Sequence, residues 1–179
     1  MDKVLLHNFP YKSQLDNELN PFGSCNVTSM AMCLKWLGIV GDGSYEQLED
    51  QLYQRCLDNG WSRHDPYGLK AVAESYPNVK DDLKTNATFT DIKQALTSNN
   101  PVILHGYFTM FGHIIVAKGF DGFGLIVNDP YGEWFEWGYD TSVSGEGLNY
   151  SWGMIARKCS PESVGNPQHI WMHRISRTN

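Results

Sequence analysis

The chain has 179 residues, 41% of them hydrophobic, which is enough to bury a core as a single domain covering residues 1–179 and excludes a disordered or fibrous protein. Its 20 acidic side chains outnumber 14 basic ones and give a net charge of −6. This balance argues against nucleic acid as a partner and against simple electrostatic adhesion to an anionic membrane or cell wall. No run of about 18 apolar residues is present, so no stable membrane insertion is expected. The N-terminal apolar run is too short for a signal peptide, which predicts synthesis in the cytoplasm.

The first half of the chain is predicted to be mainly helical. Residues 1–15 look extended, and the turn-forming residues 16–24 indicate a loop. Apolar side chains then recur at helical spacing, which predicts a helix from Cys25 to Leu37 that Gly38 ends. Three further helices are predicted at about residues 45–58, 67–76 and 91–98.

The second half changes to strand patterns. The hydrophobic runs predict strands at residues 101–108, 113–120 and 125–129. Asp121-Gly122 marks a tight hairpin between the last two strands. Later pieces rich in Trp and Tyr, at about 150–157 and 169–175, are predicted to add strands. Helices followed by an antiparallel sheet predict an α+β fold with helices packed on the sheet.

The four cysteines, at positions 25, 33, 56 and 159, permit two disulfides but favour free thiols, because no signal peptide or close cysteine pairing is seen. Cys25 follows a Gly-Ser turn and begins the strongest predicted helix. A helix N-terminus carries partial positive charge and unpaired N–H donors, both of which favour the nucleophilic thiolate. Cys33 and Cys56 lie among apolar neighbours and are interpreted as core residues. A cysteine at a helix start is commonly non-catalytic, so a catalytic role for Cys25 requires a nearby base, an orienting group and an oxyanion donor.

Candidate partners for Cys25 lie on the predicted hairpin. His113 begins one strand and Asp129 ends the next, so pairing of the strands brings both to the same end of the hairpin. A hydrogen bond between them would fix the imidazole tautomer and stabilise the imidazolium. The alternative is an ordinary strand-end histidine and turn-starting aspartate. Gln14 precedes Cys25 by eleven residues, and its side-chain amide is a candidate oxyanion donor beside the Cys25 backbone N–H.

Four short segments together resemble the bacteriocin-processing (double-glycine) cysteine peptidases of the papain-like superfamily. They occur in family order within residues 4–132, and Asn26-Val27 stands where the family often has Gly-Pro. The segments are Phe9-Pro10-Tyr11-Lys12-Ser13-Gln14, Gly23-Ser24-Cys25-Asn26-Val27-Thr28-Ser29-Met30-Ala31-Met32, Gly112-His113-Ile114-Ile115-Val116-Ala117-Lys118-Gly119-Phe120-Asp121 and Val127-Asn128-Asp129-Pro130-Tyr131-Gly132.

The resemblance implies a papain-like fold in which a helix bearing the cysteine packs on an antiparallel sheet carrying His and Asp. Carried over by position, Cys25 is the nucleophile, His113 the general base and then acid, and Asp129 the residue that orients His113. Gln14 completes the oxyanion hole. No cofactor is implied.

Residues 133–179 lie outside the resemblance and are expected to complete the sheet. Their aromatic side chains suit either core packing or the wall of a substrate site. His169 and His173 have a spacing that binds metal on a helix, but the segment is predicted as a strand, which separates them too far. Glu133 and Glu136 resemble the carboxylate pair of a glycosidase, but no other feature of the sequence supports that function.

The sequence therefore predicts a cysteine-dependent amide hydrolase, most simply a peptidoglycan-cleaving lysin that reaches the cell wall with help from a pore. A leader-peptide-processing peptidase is the first alternative. A catalytically inactive binding module on the same fold is the second.

Overall fold

The computed structural model describes residues 2–178, and across them five α-helices accompany nine β-strands. The helices are α1 (Cys25–Trp36), α2 (Leu48–Asn59), α3 (Pro66–Glu74), α4 (Phe89–Thr97) and α5 (Trp152–Cys159). The strands are β1 (Val4–Leu5), β2 (Val79–Ala87), β3 (Val102–Gly106), β4 (His113–Phe120), β5 (Gly124–Asn128), β6 (Glu133–Phe135), β7 (Gly138–Asp140), β8 (Leu148–Ser151) and β9 (Ile170–Arg177).

Seven of these strands form one antiparallel sheet, in the order β2-β9-β3-β4-β5-β8, with β1 paired to β4. Strands β6 and β7 form a separate hairpin. The predicted α+β class is confirmed. No helix among residues 2–178 is both long enough and apolar enough to cross a membrane.

Helix α1 lies at the centre of the molecule, and every residue from Asn26 to Leu34 on it is buried. It packs against β4 on one side and α2 on another, which accounts for its burial on more than one face. The helix ends where Gly38 adopts a left-handed φ of 86°, as its position after the apolar pattern predicted. Burial of this stretch fixes the position of the residue just before it, Cys25, which begins the helix.

Two predictions of secondary structure are wrong. Strand β2 lies between α3 and α4, so helices do not all precede the sheet. Its polar sequence concealed it: β2 is an edge strand paired only with β9, and most of its side chains are exposed. The predicted strand at 150–157 ends at Ser151, whose hydroxyl caps α5 by accepting from the Met154 N–H at 3.1 Å.

The β4–β5 hairpin forms as predicted and sets the geometry of the site. Its turn is closed by the Asp121 N–H, which donates to the Gly124 carbonyl at 2.9 Å. The register pairs Val116 with Asn128, so the start of β4 and the end of β5 lie together. His113 and Asp129 therefore come from adjacent strand ends.

Candidate active site

His113 and Asp129 form a buried pair at the open end of this hairpin. The His113 Nε2 lies 2.8 Å from the Asp129 Oδ1, and the two side chains are 4% and 0% exposed. The other ring nitrogen, Nδ1, is left for Cys25, which lies beside His113 in the same cleft. The structure thus brings together three of the four residues that the sequence singled out.

The charge state of His113 follows from these neighbours. Burial lowers the pKa of its imidazole, but the negative charges of Asp129 and Cys25 outweigh burial and raise that pKa to about 10. The imidazolium form is therefore favoured at neutral pH. Cys25 lies at the first turn of α1, where unpaired backbone N–H groups stabilise negative charge. The arrangement suits a thiolate–imidazolium pair.

Asp129 is held by three more donors on its carboxylate. Oδ2 accepts from the hydroxyls of Tyr139 and Tyr150, each at 2.8 Å, and Oδ1 also accepts from the Tyr131 N–H at 3.1 Å. Burial, followed by the nearby carboxylate, raises the pKa of both tyrosine hydroxyls, so they stay protonated and donate. The sequence reasoning missed these tyrosines, whose signal was the aromatic density of residues 133–154.

The backbone of Asp129 is tied to two distant segments. Its N–H donates to the Gly145 carbonyl at 2.8 Å, and its carbonyl accepts from the Tyr11 hydroxyl at 3.0 Å. The Gly145 N–H donates in turn to the Tyr11 oxygen at 3.1 Å. This closed triangle fixes the carboxylate from the backbone side.

A methyl group at Gly145 is expected to break that triangle. An added Cβ would overlap the carbonyl oxygen of Asp129, which must then move. We expect Gly145→Ala to lower the free energy of unfolding by about 1–3 kcal/mol, measured by urea denaturation, and to reduce peptidase activity. Gly165→Ala is the matched control, because its Cβ would meet open space. Equal stability of the two variants would contradict the expectation.

Gln14 lies beside the turn that follows Asp129, in a short 3-10 helix of residues 14–16. Its backbone N–H donates to the Pro130 carbonyl at 2.8 Å, and its side chain is buried. One hydrogen of Nε2 is donated to the Pro21 carbonyl at 2.9 Å, which leaves the other hydrogen available. Among the described residues no direct hydrogen bond joins Gln14 to Cys25 or His113.

The loop before Cys25 is fixed by Arg63. Its Nη1 donates to the Gly23 carbonyl at 2.8 Å and reaches the Asn26 Oδ1 at 3.5 Å. The guanidinium lies over the Tyr53 ring, 4.0 Å from its centroid. Asn26, where the family often has Gly, is thus a buried anchor of the helix start.

Cys25 and His113 open into a cleft of about 300 Å³. Its wall also includes His64, His105 and Trp171. A larger, shallower depression of about 660 Å³ beside α4 contains neither cysteine nor histidine. All four cysteines are free, and burial raises the pKa of the other three thiols, Cys33, Cys56 and Cys159. Cys25 is the partly exposed thiol, and the cleft around it is the candidate active site.

The other two candidate sites gain no support. His169 pairs with the Ser163 hydroxyl, whereas His173 is buried on β9 and bonds to Asp81. Across residues 2–178 no group of three His, Cys, Asp or Glu side chains is placed to hold a metal ion. Glu136 lies on the surface and pairs with Arg157 at 3.0 Å.

Comparison with known proteins gives one family. A model described as the Peptidase_C39 like family matches residues 6–160. Among solved structures, the chain is similar to a C39-like peptidase from Bacillus anthracis, with 19% identity, a TM-score of 0.62 and 100% of each chain covered. It is also similar to a double-glycine-motif protease from an AMS/PCAT transporter, in complex with the leader peptide. That match has 17% identity and a TM-score of 0.54, and covers 98% of this chain and 100% of the other. No curated protein matches significantly.

Proposed function

We propose that this chain, which belongs to the Peptidase_C39-like family of cysteine peptidases, hydrolyses peptide bonds with Cys25 as nucleophile, His113 as acid and base, and Asp129 as orienting group. The resemblance seen in four short segments of the sequence is confirmed by the family match. The observation that carries the residue assignment is the buried 2.8 Å contact between His113 and Asp129, beside Cys25 at the start of α1.

The proposed reaction is acyl transfer in two stages. The Cys25 thiolate attacks the scissile carbonyl, and the oxyanion accepts hydrogen bonds from the Cys25 backbone N–H and the free Nε2 hydrogen of Gln14. His113 then gives its Nδ1 proton to the leaving amine, and a thioester remains on Cys25. Water attacks the thioester, with His113 taking its proton. The bond to the Cys25 sulfur then breaks, the acid product leaves, and the thiolate–imidazolium pair is restored.

Asp129 serves this cycle by keeping the His113 Nε2 proton in place. Because Oδ2 is occupied by two tyrosine hydroxyls, the carboxylate has no freedom to rotate away. His113 therefore presents Nδ1 to the thiol in both its neutral and charged forms. The same contact stabilises the imidazolium that forms in each stage.

We propose peptidoglycan peptides as the substrate class. Phe135 and Trp137 form an exposed stacked pair on the β6–β7 hairpin, with ring centroids 5.3 Å apart and planes 7° apart. Trp137 is 71% exposed. Such a flat aromatic surface suits the face of a sugar, which a wall glycan carries next to its peptides.

A leader peptide is the second candidate substrate. One similar structure is a double-glycine-motif protease in complex with a leader peptide, which supports this class by fold. The rim of the cleft beside His113 also carries two exposed apolar side chains, Tyr107 and Phe111, that suit an apolar segment of a peptide.

The deciding experiment offers both substrate classes to the same protein. Purified Gram-positive and Gram-negative peptidoglycans, and a synthetic peptide containing a Gly-Gly site, are incubated with wild type and with Cys25→Ala. Released fragments are identified by mass spectrometry. Wall fragments that depend on Cys25 would establish a wall peptidase, and cleavage after Gly-Gly alone would establish the leader-peptide function. Cleavage of neither would contradict both.

Gln14 has its own expected effect on the chemical step. Gln14→Ala removes one oxyanion donor, so kcat is expected to fall by about 10²-fold while KM changes little. The measurement is steady-state kinetics on whichever substrate the wild type cleaves. Gln94→Ala, an exposed position on α4 outside the cleft, is the matched control. An unchanged kcat in Gln14→Ala would remove Gln14 from the oxyanion hole.

A further inference from the structure

Three buried titratable side chains form a hydrogen-bonded row that leads from the core to the wall of the cleft. Asp81 on β2 and His173 on β9 are both fully buried, and the Asp81 Oδ2 lies 2.6 Å from the His173 Nδ1. The His173 Nε2 lies 2.8 Å from the Nε2 of His105 on β3. His105 lines the same cleft as Cys25 and His113.

The sheet register explains how these three residues meet. Strand β9 lies between β2 and β3, and His173 is paired with Leu83 on one side and Ile103 on the other. Asp81 and His105 are each two positions from those partners, so all three side chains project from one face of the sheet. The mechanism proposed above uses none of them.

The hydrogen positions along this row of three residues follow from which atoms can donate and which can accept. The Asp81 carboxylate accepts, so the His173 Nδ1 carries a proton, and in the neutral form of that ring the Nε2 is bare. A bare nitrogen accepts only from a donor, so the His105 Nε2 carries a proton. Burial lowers the pKa of His105 to about 3, so its ring is neutral. The remaining nitrogen, His105 Nδ1, is therefore a bare acceptor.

Stability alone gives a poor account of this arrangement. Burying a carboxylate with an imidazole costs desolvation that the pairing roughly offsets, and apolar side chains of similar volume do at least as well. The Asp81 Oδ1 has no hydrogen-bond partner among the described residues, which adds to the cost. A row of hydrogen bonds that fixes one tautomer of His105 at the wall of the cleft would instead serve substrate recognition, because it sets whether the exposed nitrogen donates or accepts.

We propose that His105 is a substrate-recognition residue whose Nδ1 accepts a hydrogen bond from an N–H of the bound peptide, and that Asp81 and His173 are positioning residues that fix its tautomer. The inference rests on the proposed function and specifies how that site recognises its substrate. Trp171, 42% exposed, packs edge-on to the His105 ring at 5.7 Å and forms the apolar side of this subsite.

Two substitutions of His105 separate recognition from structure. His105→Gln keeps a donor toward His173 but loses the acceptor at the Nδ1 position, whereas His105→Asn keeps the acceptor and loses the contact with His173. We expect His105→Gln to raise KM by about tenfold with kcat nearly unchanged, and His105→Asn to raise it less. A purely structural role predicts the reverse order, with His105→Asn the worse variant. Reversed or equal effects would overturn the proposal.

The role of Asp81 is tested through the same KM. Asp81→Asn removes the charge that fixes the tautomer, so it should raise KM in the wild-type background and have no further effect in His105→Gln. Additive effects of the two substitutions would show that Asp81 does not act through His105. Thermal melting of each variant reports folding separately.

Ring-nitrogen NMR tests the tautomer without any activity. In the resting wild-type protein labelled with 15N-histidine, we expect His105 to show a bare Nδ1 and a protonated Nε2. Muramidase-released peptidoglycan fragments and the Gly-Gly peptide are then titrated separately into Cys25→Ala protein. The His105 Nδ1 resonance is expected to shift on addition of whichever ligand binds. A protonated Nδ1 would overturn the proposal even if the peptidase is active. If wild type cleaves neither substrate, the proposed function fails, while the spectrum still decides which nitrogen is bare.

Discussion

Cys25→Ala is expected to abolish peptide hydrolysis, lowering kcat/KM by about 10⁴-fold or more. The reason is that the substitution removes the atom that attacks the carbonyl, while the oxyanion donors and the cleft remain. The helix it begins is fixed by the burial of α1 and by the Arg63 contacts to the preceding loop, so the fold should be preserved. The measurement is kcat/KM on the cleaved substrate, with circular dichroism to show that the helix content is unchanged.

The matched control for Cys25→Ala is Cys56→Ala, which removes a buried thiol on α2. Its activity should be near that of wild type, with some loss of thermal stability. Labelling by iodoacetamide at pH 6 adds a direct readout, since Cys25 should react fast and the three buried thiols slowly. Activity that survives in Cys25→Ala would exclude Cys25 as the nucleophile.

The sequence was informative wherever a local pattern coincided with burial. Helix α1 could be predicted from Cys25 onward because its apolar spacing and the stop at Gly38 are local signals. The β4–β5 hairpin could be predicted because its turn at Asp121-Gly122 is short. The meeting of His113 and Asp129 then followed from antiparallel pairing. The core of the proposed site was therefore within reach of the sequence.

Other features depend on contacts between distant segments, and no local pattern shows which residues meet. Tyr139 and Tyr150 reach Asp129 only after the chain has folded back through two further strands. Asp81 lies on a polar edge strand that periodicity missed, and its bond to His173 spans 92 positions. Pairwise side-chain bonds of this kind need the sheet order, which no motif in the sequence specifies.

The two histidine–aspartate pairs of this sheet differ in what lies at their far end. His113 has the Asp129 carboxylate on one side and the Cys25 sulfur on the other, and the negative charges of these two groups raise its pKa to about 10. His105 has only another imidazole behind it, and burial lowers its pKa to about 3. One ring is thereby suited to proton transfer and the other to accepting a hydrogen bond.

Asp129→Asn is expected to lower kcat/KM by about 10³-fold, although asparagine serves in this position in some cysteine peptidases. The surroundings of Asp129 explain the difference. Its Oδ2 accepts from two tyrosine hydroxyls and its Oδ1 from His113 and a backbone N–H, so four donors converge on one group. An amide offers only one oxygen, and its NH₂ must face either the tyrosines or the His113 Nε2. The first choice leaves the hydroxyl protons of the two tyrosines without their acceptor, and the second forces the wrong histidine tautomer.

The pH dependence gives Asp129→Asn a second signature. The pKa of His113 is raised from 6.5 in the unfolded chain to about 10 in the folded protein. Its contribution to stability is therefore fully present below pH 6.5 and is lost as the pH rises through about 10. Without the carboxylate the pKa of His113 should fall. The stability difference between wild type and Asp129→Asn should then be largest below pH 6.5 and shrink toward pH 10, and the alkaline limb of kcat/KM should move to lower pH in the variant.

Urea denaturation at several pH values and a pH profile of kcat/KM measure the two effects separately. Asp82→Asn is the matched control, because that carboxylate is exposed on β2 and its pairing with Lys80 is screened by solvent. It should change neither profile. An Asp129→Asn protein with wild-type stability and an unmoved alkaline limb would show that the carboxylate does not hold the charge on His113. The catalytic assignment of the pair would then have to be abandoned, even though the 2.8 Å contact exists.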